Sequence, residues 1–252
     1  MVFELPTEKI KSTLKNPKRL IIYGKPKVGK SSIIAELDNC LMLDFEQGSD
    51  YVDAVKIKID CLAISHKDVD SQVSMEEVAI KILQANKPYK FLAIDTATAF
   101  EHMCLREALE MYKQIPMGRS FTGDDILSLP NGAGYYWLRK AFDKWLTIFD
   151  KLADNVILIG HMKDKYINDN GKEVVISALD LTGKIGPVTA AKSDAIGFIY
   201  RNKEKQTVIS FNSSQSEVGS RCEHLKGKDI VIAEEDKDGN FKTFWDRIFI
   251  EE

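Results

Sequence analysis

The stretch Arg19-Leu20-Ile21-Ile22-Tyr23-Gly24-Lys25-Pro26-Lys27-Val28-Gly29-Lys30-Ser31-Ser32 decides how this chain reads. Residues 20–23 predict a short buried strand, two glycines bound a loop, and Lys30-Ser31-Ser32 opens a helix. The pattern G-x-x-x-x-G-K-[ST] is that of a phosphate-binding loop. Successive backbone N–H groups make an anion nest, and the helix that follows adds its positive dipole end. Gly24 and Gly29 let the backbone curl where a Cβ would clash. Lys25, Pro26, Lys27, Val28 and Ser32 complete the cradle, Lys30 reaches the β- and γ-phosphates, and the Ser31 hydroxyl is placed to ligate Mg²⁺.

Outward from this loop, 252 residues suit one α/β domain with a small appendage. The chain is 44% hydrophobic, enough for a sizeable core, and no run approaches the ~20 apolar residues of a membrane helix. The N-terminus lacks the pattern of a secretory signal. Cys40, Cys61, Cys104 and Cys222 show no C-x-x-C spacing and read as ordinary thiols of a reducing cytosol. The net charge of −3 is segregated: residues 1–30 hold eight Lys/Arg against two Glu, and residues 229–252 hold three Lys/Arg against eight Asp/Glu. A polyanion partner is compatible with the basic end without being demanded by it.

Residues 7–16 predict a short amphipathic helix, with Thr7 as N-cap and Ile10 and Leu14 one turn apart; Pro17 ends it. Cys40–Glu46 predicts a second buried strand tipped by Asp44 and Glu46. Val55–Ile59 alternates and predicts a strand near a sheet edge. Ser74-x-x-Glu77 is a capping box that opens a helix through Ala85, with Val78, Ile82 and Leu83 facing inward. Lys90–Asp95 is a buried strand ending in an acid. Helices are predicted over 100–114 and 135–152, the second with Leu138, Phe142, Trp145 and Phe149 as a core stripe. Between them, residues 116–134 form a long irregular loop. Val156–Gly160 is a fourth core strand ending at His161. Beyond it, Asn170-Gly171 predicts a β-hairpin, residues 195–200 and 207–211 a second strand pair, and residues 230–233 a short strand before the acidic end.

Alternation of strands and helices up to His161 predicts a mostly parallel sheet with helices on both faces, followed by a C-terminal antiparallel extension. The expected organisation is a single domain over 1–252, with an N-terminal helix (1–17), a nucleotide-binding core (18–161) and the extension (162–252). Ligands of such sheets sit at the C-terminal strand ends, where the loop, Asp44, Glu46, Asp95 and His161 all fall. Asp95 is placed to hold Mg²⁺ with Ser31. Glu46 is the candidate to orient or deprotonate the attacking water. His161 is the candidate to sense the γ-phosphate.

In this order, Gly24–Ser31, Leu43–Glu46, Ala93–Thr96 and Ile159–Lys163 resemble the successive motifs of RecA-like P-loop ATPases, and more closely the phage-encoded Sak-type single-strand annealing ATPases. The resemblance spans roughly 18–225. It implies an α/β RecA-like NTPase domain that binds Mg·ATP, with Lys30, Glu46 and His161 in the chemistry and Asp95 as the Walker B acid. It also implies that Lys163 to Lys192 form a DNA-binding loop region. Lys163, Lys165, Lys172, Lys184 and Lys192, with Arg119 in the earlier loop, then contact single-stranded DNA. Arg221 or Lys226 is expected at the γ-phosphate of its own or a neighbouring subunit. The implied partners are single-stranded DNA, a single-strand-binding protein and further copies of the chain in a ring or filament, in a bacterial host cytoplasm. A histidine in place of the recombinases' glutamine, and the lack of an obvious separate DNA domain, favour annealing over strand exchange.

Other classes fit less well. The N-K-x-D string of a GTPase is approached only by Asn202-Lys-Glu-Lys205, which lacks the guanine-reading acid, and no L-S-G-G-Q of a transporter ATPase occurs. A non-hydrolysing ATP-gated interaction module stays open as an alternative, and a small-molecule kinase is a weaker one because residues 116–134 carry a single Arg.

Overall fold

The computed structural model describes residues 5, 7–9, 11–59, 73–86, 88–169, 172–213, 216–235 and 241–251. Six strands run parallel: β1 (Arg19–Gly24), β2 (Cys40–Asp44), β3 (Lys56–Lys58), β4 (Phe91–Asp95), β5 (Asn155–Asp169) and β7 (Ala195–Arg201). Antiparallel strands β8 (Thr207–Ser210), β10 (Asp229–Glu235) and β11 (Phe241–Thr243) extend the sheet, giving the order β11-β10-β8-β7-β1-β5-β4-β2-β3. β9 (Gly219–Ser220) pairs with the start of β7. β5 runs on past the sheet and pairs antiparallel with β6 (Lys172–Leu179) to make a projecting hairpin.

The chain thus forms a mixed α/β fold on a large, mostly parallel sheet. The parallel part extends past residue 161: β7 lies directly beside β1, because β6 and α5 (Ile185–Lys192) return the chain to the N-terminal edge before β7 starts. The segment 163–192 is accordingly not one loop but the hairpin followed by a helix.

Both sheet faces are buried, as a parallel sheet requires. On one face, Ile21, Leu43, Ile94 and Leu158 meet α2 (Met75–Gln84), α3 (Ala97–Gln114) and α4 (Ala133–Leu152). Phe100 of α3 packs on Phe142 and Phe149 of α4, and Trp145 is 1% exposed, so the predicted stripe is core. On the other face, Leu20, Ile22, Ile157 and Ile159 are covered by Ile33 and Ile34 of α1 (Lys30–Ala35) and by Trp245 and Ile248 from the chain end. The Trp245 indole donates to the Ile33 carbonyl at 2.7 Å, which docks the acidic C-terminal segment on the helix that follows the phosphate loop.

Ser74 caps α2 by accepting from the Glu77 amide, as the capping box predicts. Its inner face is Met75, Val78, Ala79 and Ile82; Leu83 is half exposed, correcting the expected inward position. The predicted N-terminal helix is also corrected. Residues 7–9 and 11–16 are non-helical, and Leu14 is exposed. Two apolar positions give so short a segment too little burial to offset helix nucleation. Instead, Asn16 exchanges two hydrogen bonds with the Ile250 backbone. Residues 116–134 contain three 3₁₀ turns and are anchored at Gly134. The Asn170-Gly171 turn, Ile10, Cys61 and the Lys172 side chain lie outside the described residues.

Gly24 ends β1 where β7 passes closest. A Cβ there would lie 2.4 Å from the Ile199 carbonyl oxygen and 2.8 Å from its Cγ2. Gly24→Ala must spread two paired central strands, a cost of about 1–3 kcal/mol. Thermal unfolding should fall by about 2–4 °C per kcal/mol for a chain of this size.

Candidate nucleotide site

The strand order places β1 between β5 on one side and β7 on the other. The chain leaves β1 through α1 toward β2, so the sheet reverses its winding here, and the crevice beyond the strand ends is the natural ligand position. The backbone of the loop is shaped for it. Lys27 (φ 62°) and Gly29 (φ 100°) adopt left-handed conformations, the second costing nothing only because it is glycine. Gly29 caps α1 with no side chain over the first amides, leaving them directed at the loop.

Lys30 is buried, and its ammonium donates to the carbonyls of Gly24 at 3.2 Å and Lys25 at 2.8 Å. Burial lowers its pKa, and the negative charges of Asp95 and Glu46 oppose that shift. The Ser31 hydroxyl donates to the Asp95 carboxylate at 2.6 Å. Asp95 ends β4, 4% exposed, and its pKa is raised to about 6 by burial, with Glu46 and Asp44 adding to the rise and Ser31 and Lys30 opposing it. A buried acid so short of compensating charge, with a hydroxyl already on it, fits a divalent cation. No cluster of three or more His, Cys, Asp or Glu that could hold a metal exists among the described residues. The cation would therefore take Ser31 directly, Asp95 directly or through water, and phosphate oxygens.

Glu46 stands beyond β2. Its Oε1 accepts from the Thr96 hydroxyl at 3.2 Å and lies 2.5 Å from the Nε2 of His161. His161 lies within β5 and projects on the α1 side of the sheet, two residues past Ile159, and its Nδ1 is buried with no hydrogen-bond partner among the described residues. Glu46, Asp95, His161, Lys30 and Ser31 are therefore brought together as the strand order requires. The link between Glu46 and His161 was not foreseen. Asp44 is spent elsewhere: it accepts from the amides of Gly48 at 3.3 Å and Ser49 at 3.1 Å and so holds the turn after β2.

Two expected cations are elsewhere. Arg221 follows β9 at the N-terminal edge of the sheet, donating to the Ala191 carbonyl at 2.6 Å and facing Asp194 at 3.6 Å. It is the wrong end of β7 for the phosphates of its own subunit, a correction to the expectation. Lys226, in the turn after it, faces Glu223 at 3.9 Å. Arg119 is exposed beyond the far end of α3, whose 18 residues carry it about 27 Å along the helix from Asp95.

The lysines expected on DNA are mostly committed. Lys163 donates to the Leu181 carbonyl and faces Asp180 at 3.4 Å; Lys165 pairs with Glu217; Lys192 pairs with Asp143 at 2.6 Å. Lys184 is exposed at the start of α5. A cavity of about 830 Å³, lined by Lys18, Arg19, Lys90, Lys192 and Asp194, lies at the opposite end of the strands and touches none of the nucleotide-site candidates.

The family model described as an AAA domain matches residues 16–222. The chain belongs to this AAA domain family. The match covers both the phosphate loop and the strand ends that carry Glu46, Asp95 and His161 in this AAA domain. No curated protein matches its sequence. Among solved structures, the RadB recombinase is similar at 12% identity over 91% of this chain and 92% of that one, with a TM-score of 0.42. A KaiC-like protein from the archaeon Pyrococcus horikoshii is similar at 12% identity over 90% and 89%, with a TM-score of 0.41. No helix among the described residues of the AAA domain is long and apolar enough to cross a membrane.

Proposed function

We propose that this AAA domain binds Mg·ATP over Gly24–Ser32 and hydrolyses it slowly, in the service of single-stranded DNA annealing of the phage Sak type. The observation that carries the ATPase reading is the convergence of Lys30, Ser31, Asp95, Glu46 and His161 at adjacent parallel strand ends. Lys30 exchanges its two loop carbonyls for phosphate oxygens. Magnesium, when bound, neutralises charge on the phosphates beside Ser31 and Asp95. Thr96 and His161 hold Oε1 of Glu46, which leaves Oε2 to take the proton of a water. The water oxygen bonds to the γ-phosphorus as the bond to the β–γ bridging oxygen breaks, and ADP leaves.

For the DNA reading, the supporting surface is smaller than the lysine count suggests. Exposed Tyr135 and Tyr136 begin α4, with Lys140 over the Tyr136 ring at 4.9 Å. A Cβ on Gly183 would lie 3.3 Å from the Tyr135 ring, so exposed Lys184 is in the same neighbourhood. Aromatic faces beside cations suit stacked single-stranded bases. Assembly with further copies of the chain rests on the sequence resemblance.

Phosphate release should be measured with and without a single-stranded oligonucleotide, alongside a shift assay at low and moderate salt. Stimulated turnover and binding that weakens steeply with salt are the expected results. Turnover with no DNA binding at either salt removes the annealing role. Tight Mg·ATP binding with no turnover makes the chain a nucleotide-gated interaction module, and phosphate passing to an acceptor other than water makes it a kinase.

A further inference from the structure

Arg201 is the last residue of β7, its backbone fixed by pairing with Thr207 of β8. A Cβ built on Gly29 would meet one atom within 4 Å, the Arg201 Nη2 at 3.9 Å. The guanidinium is thus poised over the second glycine of the phosphate loop. It is exposed and has no hydrogen-bond or ion-pair partner among the described residues, whereas Arg19 and Arg221 are paired with Asp150 and Asp194. It also borders a cavity of about 610 Å³ shared with Lys25 and Val28 of the loop.

We propose that Arg201 binds the inner phosphates of the nucleotide, from the side opposite the catalytic acids. The direction follows from strand order. Glu46, Asp95 and His161 come from β2, β4 and β5, all on one side of β1, and β7 is on the other. A triphosphate with its reacting end at Glu46 must extend its α- and β-phosphates toward β7. A planar guanidinium with five donors suits two phosphate oxygens at once. The inference rests on the ATPase reading, and the experiment separates the two.

Affinities of the full chain and of its Arg201→Ala and Arg201→Lys variants should be measured for Mg·ATP, Mg·ADP and inorganic tripolyphosphate. If the wild-type chain binds none of them, the ATPase reading fails. With wild-type binding in hand, Arg201→Ala should weaken all three by about 10–100-fold, the effect of losing one charge-assisted contact. In turnover the loss should be carried by KM, Arg201→Lys should recover part of it, and unfolding without nucleotide should be unmoved. Unchanged affinities in Arg201→Ala overturn the proposal. So does a loss for Mg·ATP alone, which would place Arg201 on the reacting phosphate, or a loss that spares tripolyphosphate, which would place it on the nucleoside.

Discussion

Glu46→Gln should leave Mg·ATP binding near the wild-type level and lower turnover by about 10²–10⁴-fold, the range for removing a positioned general base. The substitution keeps the shape and the hydrogen bond from Thr96 at 3.2 Å, but the amide has no charge to accept a proton. His161 lies 2.5 Å from the same oxygen, so it positions the base whatever it does toward the phosphate. His161→Ala should therefore also slow turnover, by a smaller factor, because the carboxylate itself remains and loses one of two tethers. Single-turnover phosphate release, with binding followed by equilibrium titration, checks both. Wild-type turnover in Glu46→Gln would show that another group takes the proton.

Asp95→Asn should make the nucleotide-free chain harder to unfold at neutral pH while removing the stabilisation conferred by magnesium with ATP. The folded Asp95 pKa of about 6 lies above the ordinary carboxylate range, chiefly through burial. Between that range and pH 6 the folded state holds the extra proton, so stability falls as pH rises through this window. Above pH 6 the cost is complete, about 2–3 kcal/mol at 1.36 kcal/mol per pKa unit, with burial at 4% exposure giving no solvent discount. Asparagine keeps an oxygen for the Ser31 hydroxyl and carries no charge. The gain of Asn over Asp should thus be small near pH 4 and complete above pH 6, as read by denaturant unfolding. In the wild-type chain the magnesium response should fade as acid protonates Asp95. Equal stability of the two chains at pH 8 would remove burial as the source of the strain on this acid.

The part of the site legible in the sequence was the part coded by strand ends. Asp95 and Glu46 follow apolar runs that can only be buried strands, and parallel strands deliver their C-terminal residues to one edge. Arg201 escaped because its value depends on β7 lying beside β1, a neighbour relation between residues 175 apart that no local pattern records. Arg221 was misplaced for the same reason: the bridge of β9 to the start of β7 takes it to the other end. Lys165 and Lys192 looked like free cations in sequence, yet their acids, Glu217 and Asp143, lie 52 and 49 residues away. The N-terminal helix failed because a capping residue and one apolar pair describe a helix without supplying a surface to bury it against.

β5 crosses from the sheet into the hairpin without a break, and His161 sits within it. From His161 to Asp169 the strand reaches about 26 Å at ~3.3 Å per residue. Paired with β6, this arm begins beside the Glu46 carboxylate that His161 contacts. A tilt of about 5° there would swing its outer end by about 2 Å over that length. A displacement at His161 would therefore be magnified at the outer end of one continuous strand.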